Sequence, residues 1–199
     1  MKTLIIIISL LIQIDGYAQT DDKNDSFSHE VTTVKGYLNN DNLLDKVVVK
    51  QDLKDEKAPY RLQIFFAQPN GDFKLIVTST KVIEPQHPEG KDSYNNGNGF
   101  LDLTIKNRVI SVNNELLRGH FEHKFRFQNG SFELIGFSEV NSEGNGVINY
   151  IDFNLLTGIR IEESERYDIN KIISNKKKKI LIRPLPKLQN FVPFEKDLY

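Results

Sequence analysis

Residues Phe121 to Phe137, FEHKFRFQNGSFELIGF, decide the fold class. Asn129-Gly130 stands at their centre, and both residue types enter positive φ readily, as the two middle positions of a type I′ turn require. That placement sets the register. Phe127 falls opposite Phe132, Arg126 opposite Glu133 and Phe125 opposite Leu134. Apolar side chains then meet on one face and opposite charges on the other, so turn chemistry and cross-strand pairing agree. The stretch reads as an antiparallel hairpin with one face in a core.

The same period of two runs outward along the chain. Tyr60, Leu62, Ile64 and Phe66 alternate with Arg61, Gln63 and Phe65; Pro69-Asn70-Gly71-Asp72 makes a turn, and Phe73, Leu75 and Val77 resume the alternation. Leu101 to Ile105 and Val109 to Val112 flank Lys106-Asn107-Arg108, and Ile148 to Phe153 and Gly158 to Glu163 flank Asn154-Leu155-Leu156-Thr157. Only Glu162 to Ile173, EESERYDINKII, offers a short helix. The run Lys176 to Lys179 reads as a solvated segment before a strand at Ile180-Leu181-Ile182. The proline-containing end, RPLPKLQNFVPFEKDLY, reads as an extended segment along the domain. The expected fold is all-β or mainly β, a single antiparallel β-sandwich or strongly bent sheet with at most one short helix.

The first residues carry a different pattern. Lys2, the apolar run Leu4 to Ile14 and the small residues at Gly16 and Ala18 make residues 1–18 a signal peptide. Residues 19–30 read as a flexible leader, order is expected from Val31, and 31–199 form a single β-rich domain with its extended C-terminal segment. The expected location is the periplasm or the exterior, with no membrane anchor after signal cleavage. The chain has no cysteine, so the fold is held by its core, to which thirteen phenylalanines contribute. A net charge of −1 gives no field to attract nucleic acid.

Gly36 to Val49, GYLNNDNLLDKVVV, is the stretch that invites a metal. Calcium takes six to eight oxygens from alternate positions of a tight loop. Asn39, Asp41 and Asp45 fall at three of those positions and are the candidate ligands, calcium being the one cofactor considered. Tyr37 stands where the first acidic ligand belongs and Asn42 where the turning glycine belongs, so two carboxylates at most remain. Tyr94-x-Asn96-x-Asn98-Gly99-x-Leu101-Asp102 repeats the layout, and Asn141-x-Glu143-x-Asn145-Gly146-x-x-Asn149 echoes it more loosely. Recurring strand-entry turns account for all three without a metal.

YLNNDNLLDKVVV resembles the FG-GAP or VCBS type of motif. Together with RLQIFF, NGDF, FRFQNGSFELIGF and NLLTG, it makes the stretch from Val34 to Glu163 similar to small exported bacterial proteins that carry a single such motif. The resemblance implies a β fold and export, and it assigns no activity.

Of the four histidines, His29, His87, His120 and His123, the last two are three apart on a strand and so point to opposite faces, where they cannot share a metal. His123 belongs to the face of Phe121, Phe125 and Phe127. The chain has no cysteine, no G-x-S-x-G and no H-E-x-x-H, so no catalytic residue is assigned. The leading expectation is a non-catalytic binding or interaction protein of unknown partner, a protein or peptide, and an open sheet edge could take such a partner by strand addition. A calcium-stabilised structural module and an unrecognised envelope hydrolase are the alternatives.

Overall fold

The computed structural model describes residues 25–93, 97, 99–142 and 144–195. Residues 1–18, read above as a signal peptide, residues 19–24 of the expected leader and the echo-loop positions Tyr94, Asn96, Asn98 and Glu143 lie outside the described residues. The rest is built from strands, with one short 3-10 turn, Leu188–Asn190, near the end. Strands β1 (His29–Gly36), β2 (Asp45–Gln51), β3 (Tyr60–Ala67) and β4 (Phe73–Ser79) form a four-stranded antiparallel sheet in that order. A second antiparallel sheet holds seven strands in sequence order: β5 (Gly99–Lys106), β6 (Val109–Leu116), β7 (Gly119–Gln128), β8 (Ser131–Ser142), β9 (Val147–Asn154), β10 (Ile159–Arg166) and β11 (Lys171–Lys179). The architecture is the expected β-sandwich, made of two meanders. The central hairpin has the expected pairs, Phe127 with Phe132, Arg126 with Glu133 and Phe125 with Leu134, and Asn129 and Gly130 have φ of 51° and 75°.

One apolar cluster fills the space between the sheets. Val47, Val49, Leu62 and Ile64 come from the first sheet and Ile110, Val112, Phe125, Leu134 and Phe153 from the second, all of them without solvent exposure. Full burial of each such side chain contributes about 1.5–3 kcal/mol. Strict alternation fails where a bulge shifts the pleat. In β4, Ile64 pairs with Val77 and Phe65 with Leu75, so the extra residue Ile76 packs on the core and Leu75 is left exposed. In β5 the bulge falls on Leu101, which is likewise exposed, while Leu103 is buried.

Three segments differ from the sequence expectation. EESERYDINKII forms no helix; it supplies the end of β10, the turn and the start of β11. Cross-strand charge pairing favours the hairpin, since Glu162 on β10 accepts a bond from Lys178 Nζ of β11 at 3.0 Å, beside one from Arg160 Nε of its own strand at 2.7 Å. The four lysines therefore lie within β11, and Ile180 to Ile182 follow the last strand. At the other end β1 begins at His29, two residues before Val31. Asp25 is bonded to Arg61 Nη1 at 2.8 Å, and Phe27 lies under the same guanidinium at 4.8 Å, which ties residues 25–28 to β3.

The extended C-terminal segment is a working part of the sandwich. β9 leaves β8 at the pair Gly136–Asn154, just where Ile135 bulges. From there Leu134 N donates to Pro186 O at 2.8 Å, and Glu133 forms a bridge with Lys187. The segment thus takes over as the neighbour of β8, and Leu185, Leu188 and Phe191 are buried in the core.

Candidate functional site

Asp45 opens β2 and is fully buried, and its two oxygens gather the chain around it. Oδ2 accepts Leu38 N at 2.9 Å and Oδ1 accepts Ala67 N at 3.0 Å. Burial raises the pKa of its carboxyl above the usual carboxylate value; the Leu38 and Ala67 amides pull it back, and the nearby charge of Asp41 adds to the rise. Asp41 Oδ1 accepts Leu43 N at 2.8 Å, Asn39 Nδ2 donates to its Oδ2 at 2.7 Å, and Asp41 N donates to Asn39 Oδ1 at 2.9 Å. Asn42 turns the loop at a φ of 61°. The three residues singled out as calcium ligands are therefore brought into one loop, where their oxygens are engaged in bracing its backbone. Among the described residues there is no group of three or more His, Cys, Asp or Glu arranged to hold a metal ion.

The opposite side of this loop faces a cleft. Gly36, the last residue of β1, lies against Ile105 of β5, and a Cβ built on it would fall 2.5 Å from Ile105 Cγ2. Only glycine lets the edge of one sheet approach the other so closely. Beside that contact lies a cleft of about 500 Å³, lined by Gly36, Tyr37, Asn42, Ile105, Asn107 and Arg108. Its lining combines an isoleucine with a phenol, two amides and a guanidinium. The volume lies in the range usual for small-molecule sites.

Asn107 and Arg108 are the two residues of the β5–β6 turn, with Lys106 paired to Val109, and their φ angles are 52° and 62°. This is the same turn geometry as at Asn129-Gly130, with arginine where the other hairpin has glycine. A side chain in the left-handed region costs roughly 1–2 kcal/mol, so Arg108 keeps its place at an energetic cost. Among the described residues, Tyr37, Asn42, Asn107 and Arg108 form no side-chain hydrogen bond and Arg108 forms no ion pair. Lys35 and Lys106, next in the chain to Gly36 and Asn107, are exposed and likewise outside the ion pairs. The cleft therefore presents hydrogen-bonding groups and positive charge to whatever enters it.

Other surfaces carry charges of their own. The outer face of β7 to β10 has a shallow groove of about 400 Å³ whose lining includes Lys124, Tyr150, Asp152, Ile161 and Glu163, but Lys124 is held by Glu122 at 2.7 Å. The edge of β11 carries Lys171 and Lys176 to Lys179, and like charges along an edge oppose addition of another strand. His120 and His123 point to opposite faces as their spacing requires: His120 is exposed, whereas His123 is fully buried among Phe121, Phe137, Phe191 and Phe194. Burial lowers the pKa of its imidazole to about 3.

Sequence reasoning placed the interest of the first loop on Asn39, Asp41 and Asp45 and passed over its neighbours. Tyr37 counted there only as a missing ligand, and Arg108 only as part of a turn. The available signal was the dipeptide Asn107-Arg108 in a two-residue hairpin turn, where Asn-Gly is the unstrained choice. Comparison with protein-family models, with curated proteins and with solved structures finds no match to this chain.

Proposed function

We propose that this chain is an exported, non-catalytic binding protein of the periplasm or cell exterior, and that it holds its ligand in the cleft between the first loop and the β5–β6 turn. One observation carries the reading: four side chains able to hydrogen-bond line a cleft of about 500 Å³, and none of them forms a side-chain bond within the described fold. Polar groups left uncommitted around a concavity retain their bonding capacity for a ligand. Among the described residues, the lining of the cleft has no pair of carboxylates and no nucleophile beside a base, which favours binding over hydrolysis.

The test is amide chemical-shift mapping of the ¹⁵N-labelled protein against fractionated envelope small molecules and saccharide fragments. Shifts concentrated in residues 36–43 and 105–109 support the cleft. Shifts confined to the outer face of β7 to β10 would move the site there and refute the assignment.

A further inference from the structure

We infer that the cleft recognises a carboxylate carried on a hydroxylated ring, that is, an acidic saccharide of the uronate class, with Arg108 as the residue that selects the acid; this rests on the reading of the cleft as the binding site. Four observations converge. Arg108 brings a guanidinium to the cleft wall without an acidic partner among the described residues, and a planar fork of donors matches a carboxylate bidentately.

Asn42 and Asn107 each offer an amide that both donates and accepts, which suits hydroxyls that do the same. Tyr37 supplies an aromatic surface for the C–H face of a sugar ring, and Ile105 is the remaining apolar side chain of the lining. Finally, the chain tolerates left-handed backbone at Arg108 while using glycine at the equivalent turn position, Gly130. Strain kept at one of two like turns points to a use for the side chain that bears it.

Isothermal titration calorimetry of the purified protein tests this with trisaccharides of galacturonate, of alternating mannuronate and guluronate, and of glucuronate linked to N-acetylglucosamine, beside maltotriose and sodium acetate. At least one uronate probe is expected to bind tenfold or more tighter than maltotriose, to weaken as salt is raised, and to surpass acetate. Arg108→Gly is expected to abolish that preference while raising the melting temperature, because glycine relieves the turn; Arg108→Lys keeps part of it. A purely structural role for Arg108 predicts no change in ligand preference. Equal affinity for maltotriose and the uronates, or an unchanged preference in Arg108→Gly, overturns the acidic-saccharide assignment and leaves the cleft as a binding site. Absence of binding by every probe, with no amide shifts at Tyr37, Asn42, Asn107 or Arg108, overturns the assignment and the binding reading together.

Discussion

The buried histidine makes the fold sensitive to acid in a window where carboxylates contribute little. His123 has no solvent exposure, and its imidazole pKa falls from the usual 6.5 to about 3. Below pH 6.5 the unfolded chain binds a proton at this residue that the folded chain refuses, so stability declines as pH falls and continues to decline until pH nears 3. The slope approaches 1.4 kcal/mol per pH unit, which amounts to about 2 kcal/mol between pH 7 and pH 5. Domains of ordinary stability have about 5–15 kcal/mol in all, so the effect is large enough to measure.

Asp45 acts in the opposite sense. Its raised pKa makes the folded state bind the extra proton, so its contribution grows as pH falls through that value. Asp25, Asp52, Glu162 and Asp168 have lowered pKa values, for reasons led by bonds from Arg61, Ser26, Arg160 and Arg166 respectively, and they weaken the fold only below the carboxylate range. Urea denaturation followed by far-ultraviolet circular dichroism at half-unit steps from pH 7 to pH 5 separates these terms when wild type is compared with His123→Phe. The variant is expected to start lower, by about 1–3 kcal/mol for the larger ring in a full core, and then to stay nearly flat. If wild type loses no more stability than the variant across that window, the assignment of acid sensitivity to His123 is wrong.

Three further substitutions probe the loop, the sheet contact and the turn. Asp45→Ala leaves the amides of Leu38 and Ala67 buried without their acceptor and is expected to cost roughly 2–4 kcal/mol in urea melts, with Asp45→Asn less harmful because one oxygen remains. Gly36→Ala forces a methyl group into Ile105 and is expected to cost about 1–3 kcal/mol; in a double-mutant cycle, Ile105→Ala should return part of that loss, and strict additivity would contradict the contact. Arg108→Gly is expected to stabilise the protein by about 0.5–1 kcal/mol in thermal denaturation, since it removes a side chain from left-handed backbone.

The hairpin Phe121–Phe137 was legible because two independent constraints, a turn that needs Asn-Gly and a pleat that needs alternation, give one register. The same alternation puts Leu75 on one face with Phe73 and Val77 and fails there, because one inserted residue in a bulged strand reverses the faces on one side of it and no local residue type marks the insertion. The β10–β11 hairpin was missed for another reason. Its helix-compatible residues become strand through charge pairs such as Glu162 with Lys178, which are sixteen residues apart and appear only once the strands are adjacent. The C-terminal segment likewise reads as irregular on its own, because the partners that order it, Leu134 and Glu133, lie some fifty residues earlier.

The first loop joins these threads. A motif count asks whether Asn39, Asp41 and Asp45 supply enough oxygens for calcium, and it cannot see that Asp45 points inward to two amides, one from its own loop and one from the end of β3. Once Asp45 fixes Leu38 against the sheet, the residues on either side of it are obliged to diverge: Leu38 is buried, while Tyr37 and Asn42 are exposed at the cleft. Tyrosine at position 37 then has a physical meaning of its own. It turns the outer wall of the loop into an aromatic surface, and Gly36 brings that surface to the turn that carries Arg108. The bracing network and the cleft are thus two sides of one loop, so Asp45→Asn should loosen Tyr37 and Asn42 and weaken ligand binding without touching any group that lines the cleft.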